Sequence, residues 1–194
     1  MNKNKKKLTS VDLFCGIGGI ALGFRAAGIK TVTAIDYYVS NAEYFPKNFP
    51  EVPFIYQDIC NIDPHTIDIK GEELTVIAGG PPCQGFSLIG LKDHKDPRRD
   101  LVFEFRRFVR ELKPKYFVME NVPGILTKSN SKYLESLMKM LEKDGYNLNE
   151  PIILNACEFG APTDRKRVFF LGTRKDLNYR LKPPQPTHIS LRNI

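Results

Sequence analysis

The chain has 194 residues, of which 42% are hydrophobic and 26% charged, as in an ordinary folded globular domain. This length is enough for one α/β domain with a complete hydrophobic core. The longest apolar runs are too short to cross a bilayer, and no apolar segment follows the N-terminal lysines, so we expect no signal peptide, no membrane association and a cytoplasmic location. The four cysteines are widely spaced, which favours neither a zinc site nor a disulfide framework.

The net charge of +7 is concentrated at the two ends of the chain. Residues 1–7 contain four lysines and no acid, and we interpret them as a basic, solvated tail. Residues 165–194 contain eight Lys or Arg against one Asp, whereas residues 8–164 carry a net charge of −4. A basic C-terminal region on a mildly acidic body predicts a polyanionic partner on that side of the protein.

The hydrophobic pattern alternates between short strand-like runs and longer amphipathic segments. In chain order we predict a strand at 8–14, a helix from 20 to a cap at Gly28, a strand at 31–35, a helix at 40–48, strands at 53–56 and 74–78, a mobile loop at 85–98, a helix at 101–112, a strand at 116–119, a helix at 133–141 capped by Gly145, and strands at 150–155 and 167–172. Strands that alternate with helices predict an α/β fold with a doubly wound, mostly parallel sheet. Because no helix separates the final two strands, one strand should be antiparallel. The predicted domain covers 8–181, and the Pro-rich residues 182–194 lie beyond it.

Three features at adjacent strand ends indicate a nucleoside cofactor. Gly16, Gly18 and Gly19 lie at the first strand-to-helix turn, where glycine lets a ligand approach the helix N-terminus. A GxGG pattern alone also fits a plain tight turn. Asp36 ends the second strand about 20 residues later, a position that commonly binds ribose hydroxyls. Asp58 follows the third strand and could accept a hydrogen bond from an adenine amino group. No Walker lysine motif is present, which disfavours a nucleoside triphosphate.

The segment IAGGPPCQGFS, residues 77–87, holds the candidate nucleophile. Cys83 follows the C-terminal end of a buried strand, where α/β folds bind ligands. Two prolines fix its approach, and Gly85 lets another backbone or a ligand come close. An isolated cysteine usually fills a core, but one in a Gly/Pro loop at a strand end is more typical of a nucleophile.

Glu120 and Asn121 end the fifth predicted strand and should lie near Cys83 if the fourth and fifth strands are neighbours. A partly buried Glu can have a raised pKa and act as a proton donor. No histidine is placed to form a cysteine-protease pair. We interpret the three histidines, His65, His94 and His188, as ordinary surface residues.

Arg165 and Arg167 alternate at the start of the last predicted strand and should share one face. Their guanidinium groups could hold a base oxygen or a phosphate. The alternative is an exposed basic edge that protects the sheet from pairing with another chain.

Four blocks of this sequence, in order, resemble the DNA (cytosine-5-)-methyltransferase family. They are DLFCGIGGI at 12–20, GGPPCQGFS at 79–87, Glu120-Asn121-Val122, and GAPTDRKRVFFLGTR at 160–174. The resemblance runs from Val11 to about His188, and it implies the Rossmann-like fold of S-adenosyl-L-methionine-dependent methyltransferases. It implies methyl transfer to C5 of cytosine in DNA, and a cytoplasmic or nucleoid-associated protein.

The resemblance also assigns roles to individual residues. Cys83 would attack C6 of cytosine, Glu120 would hold N3 and the exocyclic amine, Arg167 would hold O2 and Arg165 would support the site. The base must leave the duplex to reach such a pocket. Residues expected to bind S-adenosyl-L-methionine are Phe14, Gly16, Ile17, Gly18, Gly19, Asp36, Tyr37, Asp58, Ile59, Gly80 and Leu101. Residues expected at the substrate are Pro82, Gln84, Gly85, Ser87, Asn121 and Val122. No metal ligand is implied.

Two departures from the family pattern affect the expected function. Thr163 stands where the family usually has Gln. The segment Pro186-Thr187-His188 normally opens the region that leads to target recognition, and the recognition domain and final motifs are not found after it. We therefore expect either a fragment or one subunit of a split restriction-modification enzyme, with a second polypeptide carrying the rest.

Three other functions compete with this interpretation. A tRNA-methylating branch of the same family is one, although the GFS after Cys83-Gln84 favours the DNA branch. A non-catalytic subunit that binds only DNA or cofactor is another, and the intact Cys83, Glu120 and arginines argue against it. A nicotinamide-dependent oxidoreductase would explain the glycine turn alone.

Overall fold

A computed structural model describes residues 7–69, 73–82 and 101–188 of the chain. The strands and helices within these ranges are β1 (Thr9–Leu13), α1 (Gly19–Ala26), β2 (Lys30–Asp36), α2 (Val39–Asn48), β3 (Phe54–Tyr56), β4 (Val76–Gly79), α3 (Leu101–Leu112), β5 (Tyr116–Asn121), α4 (Ser131–Lys143), β6 (Tyr146–Leu148), β7 (Ile152–Asn155) and β8 (Lys166–Arg174). Short 3₁₀ turns join several of them, including one at Ile59–Asn61. None of the helices in these ranges is long and apolar enough to span a membrane.

The strands form one mixed sheet in the order β3-β2-β1-β4-β5-β8-β6, and β7 also pairs with β8. Strands β1 to β5 pair in parallel with one another, and β8 is antiparallel to β5, β6 and β7. Among the described strands, β8 is therefore the single one that runs against the rest. This confirms the predicted doubly wound, mostly parallel sheet with one antiparallel strand.

Helices cover both faces of the sheet because strand residues alternate between two cores. A smaller cluster packs under α1 and α2 and consists of Cys15, Ala21, Ala34, Phe45, Phe49 and Val52. A larger cluster lies on the side of α3 and α4 and includes Val11, Leu13, Phe105, Phe117, Leu137 and Leu141. Edge-to-face aromatic pairs join its layers, with Phe117 at 6.1 Å from Phe105 and 5.3 Å from Tyr146 between ring centroids.

The predicted elements are present with small shifts at their ends, and β6 is the element that the sequence pattern missed. Only three residues long, β6 is too short to show a period-2 pattern, and it exists because Tyr146 to Leu148 pair with the far end of β8. Gly28 and Gly145 have φ values of +76° and +100° and follow α1 and α4, as expected for helix caps. The loop predicted at 85–98 lies outside the described residues.

Candidate active site

A cavity of about 360 Å³ opens at the carboxyl ends of β1, β2, β3 and β4. Parallel sheets place ligand sites at this edge, and the volume is in the usual range for small-molecule pockets. Its lining residues lie at or after the ends of the strands, or at the starts of α2 and α3: Phe14, Gly16, Ile35, Asp36, Tyr37, Tyr38, Asn41, Gln57, Asp58, Ile59, Cys60, Gly80, Pro82 and Leu101. The structure thus brings together Gly16 of the glycine turn and both acids that the sequence singled out.

Ile17, Gly18 and Gly19 were expected at the cofactor but are absent from the cavity lining. Gly18 is the N-cap of α1 at φ +100°, and a Cβ there would lie 2.1 Å from Cε2 of Phe49. The Ile17 carbonyl accepts a hydrogen bond of 2.9 Å from Nδ2 of Asn48. Gly18 is therefore needed where α1 meets the end of α2, and a cofactor contact of Ile17, Gly18 and Gly19 stays a prediction.

The Asp36 carboxylate accepts hydrogen bonds from three backbone N–H groups at the cavity. Oδ2 accepts from the Gly16 N–H at 2.9 Å, and Oδ1 accepts from the N–H groups of Tyr37 at 2.7 Å and Tyr38 at 2.9 Å. The residue is only 7% exposed. A carboxylate has about four acceptor positions, so three backbone donors leave room for one more. Asp36 can therefore fix the glycine turn and still accept a ligand hydroxyl.

Several lining residues were missed by the sequence reasoning: Ile35, Tyr38, Asn41, Gln57 and Cys60. Each is a near neighbour in sequence of Asp36 or Asp58, and that proximity is the signal that could have found them. The Cys60 N–H donates to Oδ1 of Asp58 at 2.9 Å, which starts the 3₁₀ turn. Pro82, expected on the substrate side, also lines this cavity.

Buried Asp12 lies beneath the glycine turn and was not among the predicted site residues. It is fully buried, its Oδ2 accepts from the Ala21 N–H at 3.2 Å, and its Oδ1 has no hydrogen-bond partner among the described residues. Burial, and to a lesser degree the charge of Asp36, raise the pKa of Asp12 to about 8, against the hydrogen bond from Ala21. Burial thus favours the protonated form of the Asp12 carboxyl.

A second cluster lies beside the cavity, where β5 meets β8. Oε1 of Glu120 forms an ion pair with Nε of Arg167 at 2.7 Å, and their side chains are 25% and 22% exposed. Burial raises the pKa of the Glu120 carboxyl above its usual range, and the charges of Arg167 and Arg165 oppose that rise. The ion pair joins the end of β5 to the start of β8.

Gly80 joins the two clusters. It lines the cavity, and a Cβ on it would lie 2.9 Å from Oε2 of Glu120. Next to it, Nδ2 of the buried Asn121 donates to the Pro81 carbonyl at 3.2 Å, and its Oδ1 accepts from the Val122 N–H at 2.9 Å. Asn121 thereby ties the end of β5 to the backbone that leads into the Cys83 segment.

Arg165 is exposed and directly precedes β8. Its N–H donates to Oδ1 of Asn155 at 3.0 Å, and Nδ2 of Asn155 donates to Oδ1 of Asp164 at 2.8 Å. Asn155, at the end of β7, thus orders the turn that leads into the basic start of β8.

Four of the predicted residues, Cys83, Gln84, Gly85 and Ser87, lie outside the described residues, as does His94. Within the described ranges, no disulfide joins the other cysteines, Cys15, Cys60 and Cys157. Within the described ranges, no three His, Cys, Asp or Glu side chains come together as a metal site. His65 is paired with Glu111 at 3.4 Å, and the ring of His188 lies over Gly160.

The sequence profile of the C-5 cytosine-specific DNA methylases matches residues 8–193. The chain belongs to this family. It is a family of S-adenosyl-L-methionine-dependent methyltransferases, so the oxidoreductase alternative is wrong.

Relatives of this C5 methylase domain are type II methyltransferases. It is 43% identical over 179 residues to M.DdeI of Desulfomicrobium norvegicum, covering 90% of this chain and 43% of that protein. It is 40% identical over 196 residues to M.AquIA of a Picosynechococcus species, covering 95% of this chain and 77% of that protein. The fold is similar to a DNA modification methyltransferase encoded within an E. coli prophage, with a TM-score of 0.80, 34% identity, and coverage of 90% of this chain and 49% of that one. The methylase domain therefore spans about half the length of several proteins that it matches.

Proposed function

We propose that this chain is the catalytic part of a DNA (cytosine-5-)-methyltransferase, which transfers a methyl group from S-adenosyl-L-methionine to C5 of cytosine. The observation that carries the proposal is the shared wall between the cavity and the Glu120–Arg167 pair. Gly80 lines the cavity and also lies against Oε2 of Glu120. A methyl donor in the cavity and a cytosine held by Glu120 would meet at this wall.

The cavity fits the proposed cofactor in size and in the chemistry of its lining. Asp36 would accept from a ribose hydroxyl, because its carboxylate retains an acceptor position after three backbone bonds. Asp58 would accept from the adenine amino group, while Phe14, Ile59 and Leu101 provide apolar walls. When bound, S-adenosyl-L-methionine supplies an electrophilic methyl group on a sulfonium centre.

The proposed reaction begins with the thiolate of Cys83. Its sulfur forms a bond to C6 of cytosine, and the C5–C6 π electrons become available at C5 as an enamine, which is nucleophilic where cytosine itself is not. C5 would then take the methyl group, whose bond to the sulfonium sulfur breaks and leaves a neutral thioether. Loss of the C5 proton to a base and departure of the thiolate from C6 restore the aromatic ring and the free enzyme.

In the proposed reaction, Glu120 stabilises the charge that develops on the base. Addition at C6 increases the electron density on N3, and a protonated carboxyl can donate to that atom. Burial raises the pKa of Glu120, which favours its protonated form, and Arg167 holds the carboxyl in place across 2.7 Å. The guanidinium of Arg167 would also hold O2 of the base.

DNA is the proposed polyanionic partner. Arg165, Lys166 and Arg167 stand together at the start of β8, and residues 165–194 contain eight Lys or Arg against one Asp. Such residues contribute salt-dependent phosphate contacts without sequence preference. The base must be extruded to reach Glu120, as in other enzymes that modify bases.

Covalent trapping on DNA that contains 5-fluorocytosine tests the proposal. A fluorine at C5 cannot leave as a proton does, so the Cys83 adduct should accumulate and survive denaturing electrophoresis when S-adenosyl-L-methionine is present. The Cys83→Ala variant should form no adduct, and Cys157→Ala should trap as the wild type does. An adduct formed by Cys83→Ala would refute the assignment of the nucleophile.

We also propose that full activity needs further polypeptide, either in the same chain or in a second subunit. This chain covers only 43% of M.DdeI. Large apolar side chains around α1 and the start of α2 are exposed: Ile17 by 59%, Leu22 by 54% and Val39 by 74%. Such exposure is typical of a surface that another segment covers.

Residues 1–194 alone should therefore bind cofactor weakly and bind DNA without sequence preference. Methylation should rise when a polypeptide carrying the remaining family motifs is added. Robust sequence-specific methylation by purified residues 1–194, measured with tritiated cofactor, would contradict this second proposal and leave the first intact.

A further inference from the structure

Arg107, in the middle of α3, reaches across to the 3₁₀ turn Ile59–Asn61. Its Nη2 donates to the Ile59 carbonyl at 2.7 Å, and its Nη1 donates to the Ile62 carbonyl at 2.9 Å. These two carbonyls belong to the first residue of the turn and to its C-cap. One guanidinium therefore bridges the whole turn from the outside.

The guanidinium is itself held in one orientation. Its Nε donates to Oε2 of Glu104 at 2.7 Å, one turn earlier on α3, and its plane lies 5.0 Å from the ring centroid of Phe108. The side chain of Arg107 is only 25% exposed. A lysine could not reproduce this arrangement, because its ammonium is a single donor centre without the fixed fork of a guanidinium.

The bridged turn is one wall of the cavity, and α3 provides another. Asp58, Ile59 and Cys60 line the cavity from the turn, and Leu101, the first residue of α3, lines it from the other side. Ile59 is only 4% exposed, so nearly all of its side chain is packed inside the protein. Arg107 is not among the lining residues. It connects the two walls without facing the space between them.

We propose that Arg107 is a positioning residue for the cofactor site. By holding the turn against α3, it sets the distance between Ile59 and Leu101 and the direction of the Asp58 carboxylate. The affinity for S-adenosyl-L-methionine then depends on a side chain that does not touch the cofactor. This inference rests on the proposed function, in which the cavity binds that cofactor.

The neighbouring Arg106 offers a matched control. It sits on the same helix, its side chain is 19% exposed, and it makes a two-pronged ion pair with Asp144 at 2.6 and 2.8 Å. That pair joins α3 to α4 and has no contact with the cavity. Loss of either arginine removes charge-assisted hydrogen bonds from α3, so a merely structural role would give both variants the same phenotype.

The test compares Arg107→Lys with Arg106→Lys in the full chain, with any partner polypeptide that it needs, by calorimetric titration with S-adenosyl-L-methionine and by steady-state kinetics. Loss of one charge-assisted bond, if fully expressed in binding, weakens affinity by about tenfold. We expect Arg107→Lys to bind the cofactor about tenfold more weakly, with the KM for the cofactor raised in parallel and kcat at saturating cofactor unchanged. The cofactor affinity of Arg106→Lys should stay within about twofold of that of the wild type, even if its melting temperature falls by as much as that of Arg107→Lys.

Glu104→Ala provides a second route, since it removes the acceptor that holds Nε of Arg107 and keeps the guanidinium itself, and it should weaken affinity in the same direction. Equal affinities for the Arg107 and Arg106 variants would overturn the inference. Failure of the wild type to bind S-adenosyl-L-methionine under any of these conditions would instead refute the proposed function. The two failures are therefore distinguishable in one experiment.

Discussion

Replacing Asp36 by Asn tests whether its carboxylate organises the cavity. The substitution keeps the size of the side chain but leaves one oxygen, which can still accept from the N–H groups of Tyr37 and Tyr38. The new amide nitrogen then faces the Gly16 N–H, where Oδ2 accepted at 2.9 Å. The Gly16 N–H therefore loses its hydrogen bond to a charged group, at a position where residue 36 is only 7% exposed. We expect about 2–3 kcal/mol of lost unfolding free energy.

Urea denaturation followed by circular dichroism measures this loss directly, and thermal melting should fall by about 4–12 °C. Because Gly16 also lines the cavity, affinity for S-adenosyl-L-methionine should fall by more than about 1 kcal/mol. The matched control is Asp58→Asn, since the exposed Asp58 accepts one backbone bond, from Cys60 at 2.9 Å, and Asn serves that role nearly as well. An unfolding free energy for Asp36→Asn equal to that of Asp58→Asn would refute the reasoning.

Two further predictions address Glu120 and Asp12. Gly80→Ala places a Cβ 2.9 Å from Oε2 of Glu120, so the carboxyl must rotate away. We expect kcat to fall by about tenfold or more, with little change in the melting temperature. An unchanged kcat would contradict this placement of Glu120. Asp12 has a folded-state pKa of about 8, raised far above that of an unfolded chain, so its contribution to stability is complete at low pH and is lost as pH rises towards and through 8. From this group, the unfolding free energy of the wild type should fall by up to about 1.4 kcal/mol per pH unit over that window, and that of Asp12→Asn should lack this slope. Urea unfolding from about pH 5.5 to 8.5 measures both, and the same pH dependence in the two proteins would show the assignment to be wrong.

The sequence alone was enough for the order of elements and for the strand ends where chemistry collects. Glycines and acids at the ends of β1, β2 and β3 are local signals, since a parallel sheet gathers its carboxyl ends along one edge. The single antiparallel strand also followed in outline, because no helix separates β7 from β8, and two consecutive strands joined in this way pair antiparallel.

The tertiary structure decided which of those residues face the cavity and which support it from behind. A Cβ on Gly18 would meet the ring of Phe49 from α2, a contact between residues 31 positions apart. Arg107 looked like one more charge on an amphipathic helix, yet it holds carbonyls 45 and 48 positions earlier in the chain. A periodic pattern reports only whether a side chain points towards the core or towards solvent. The partner that a polar group meets depends on how separate elements pack, and no local pattern in the sequence encodes that.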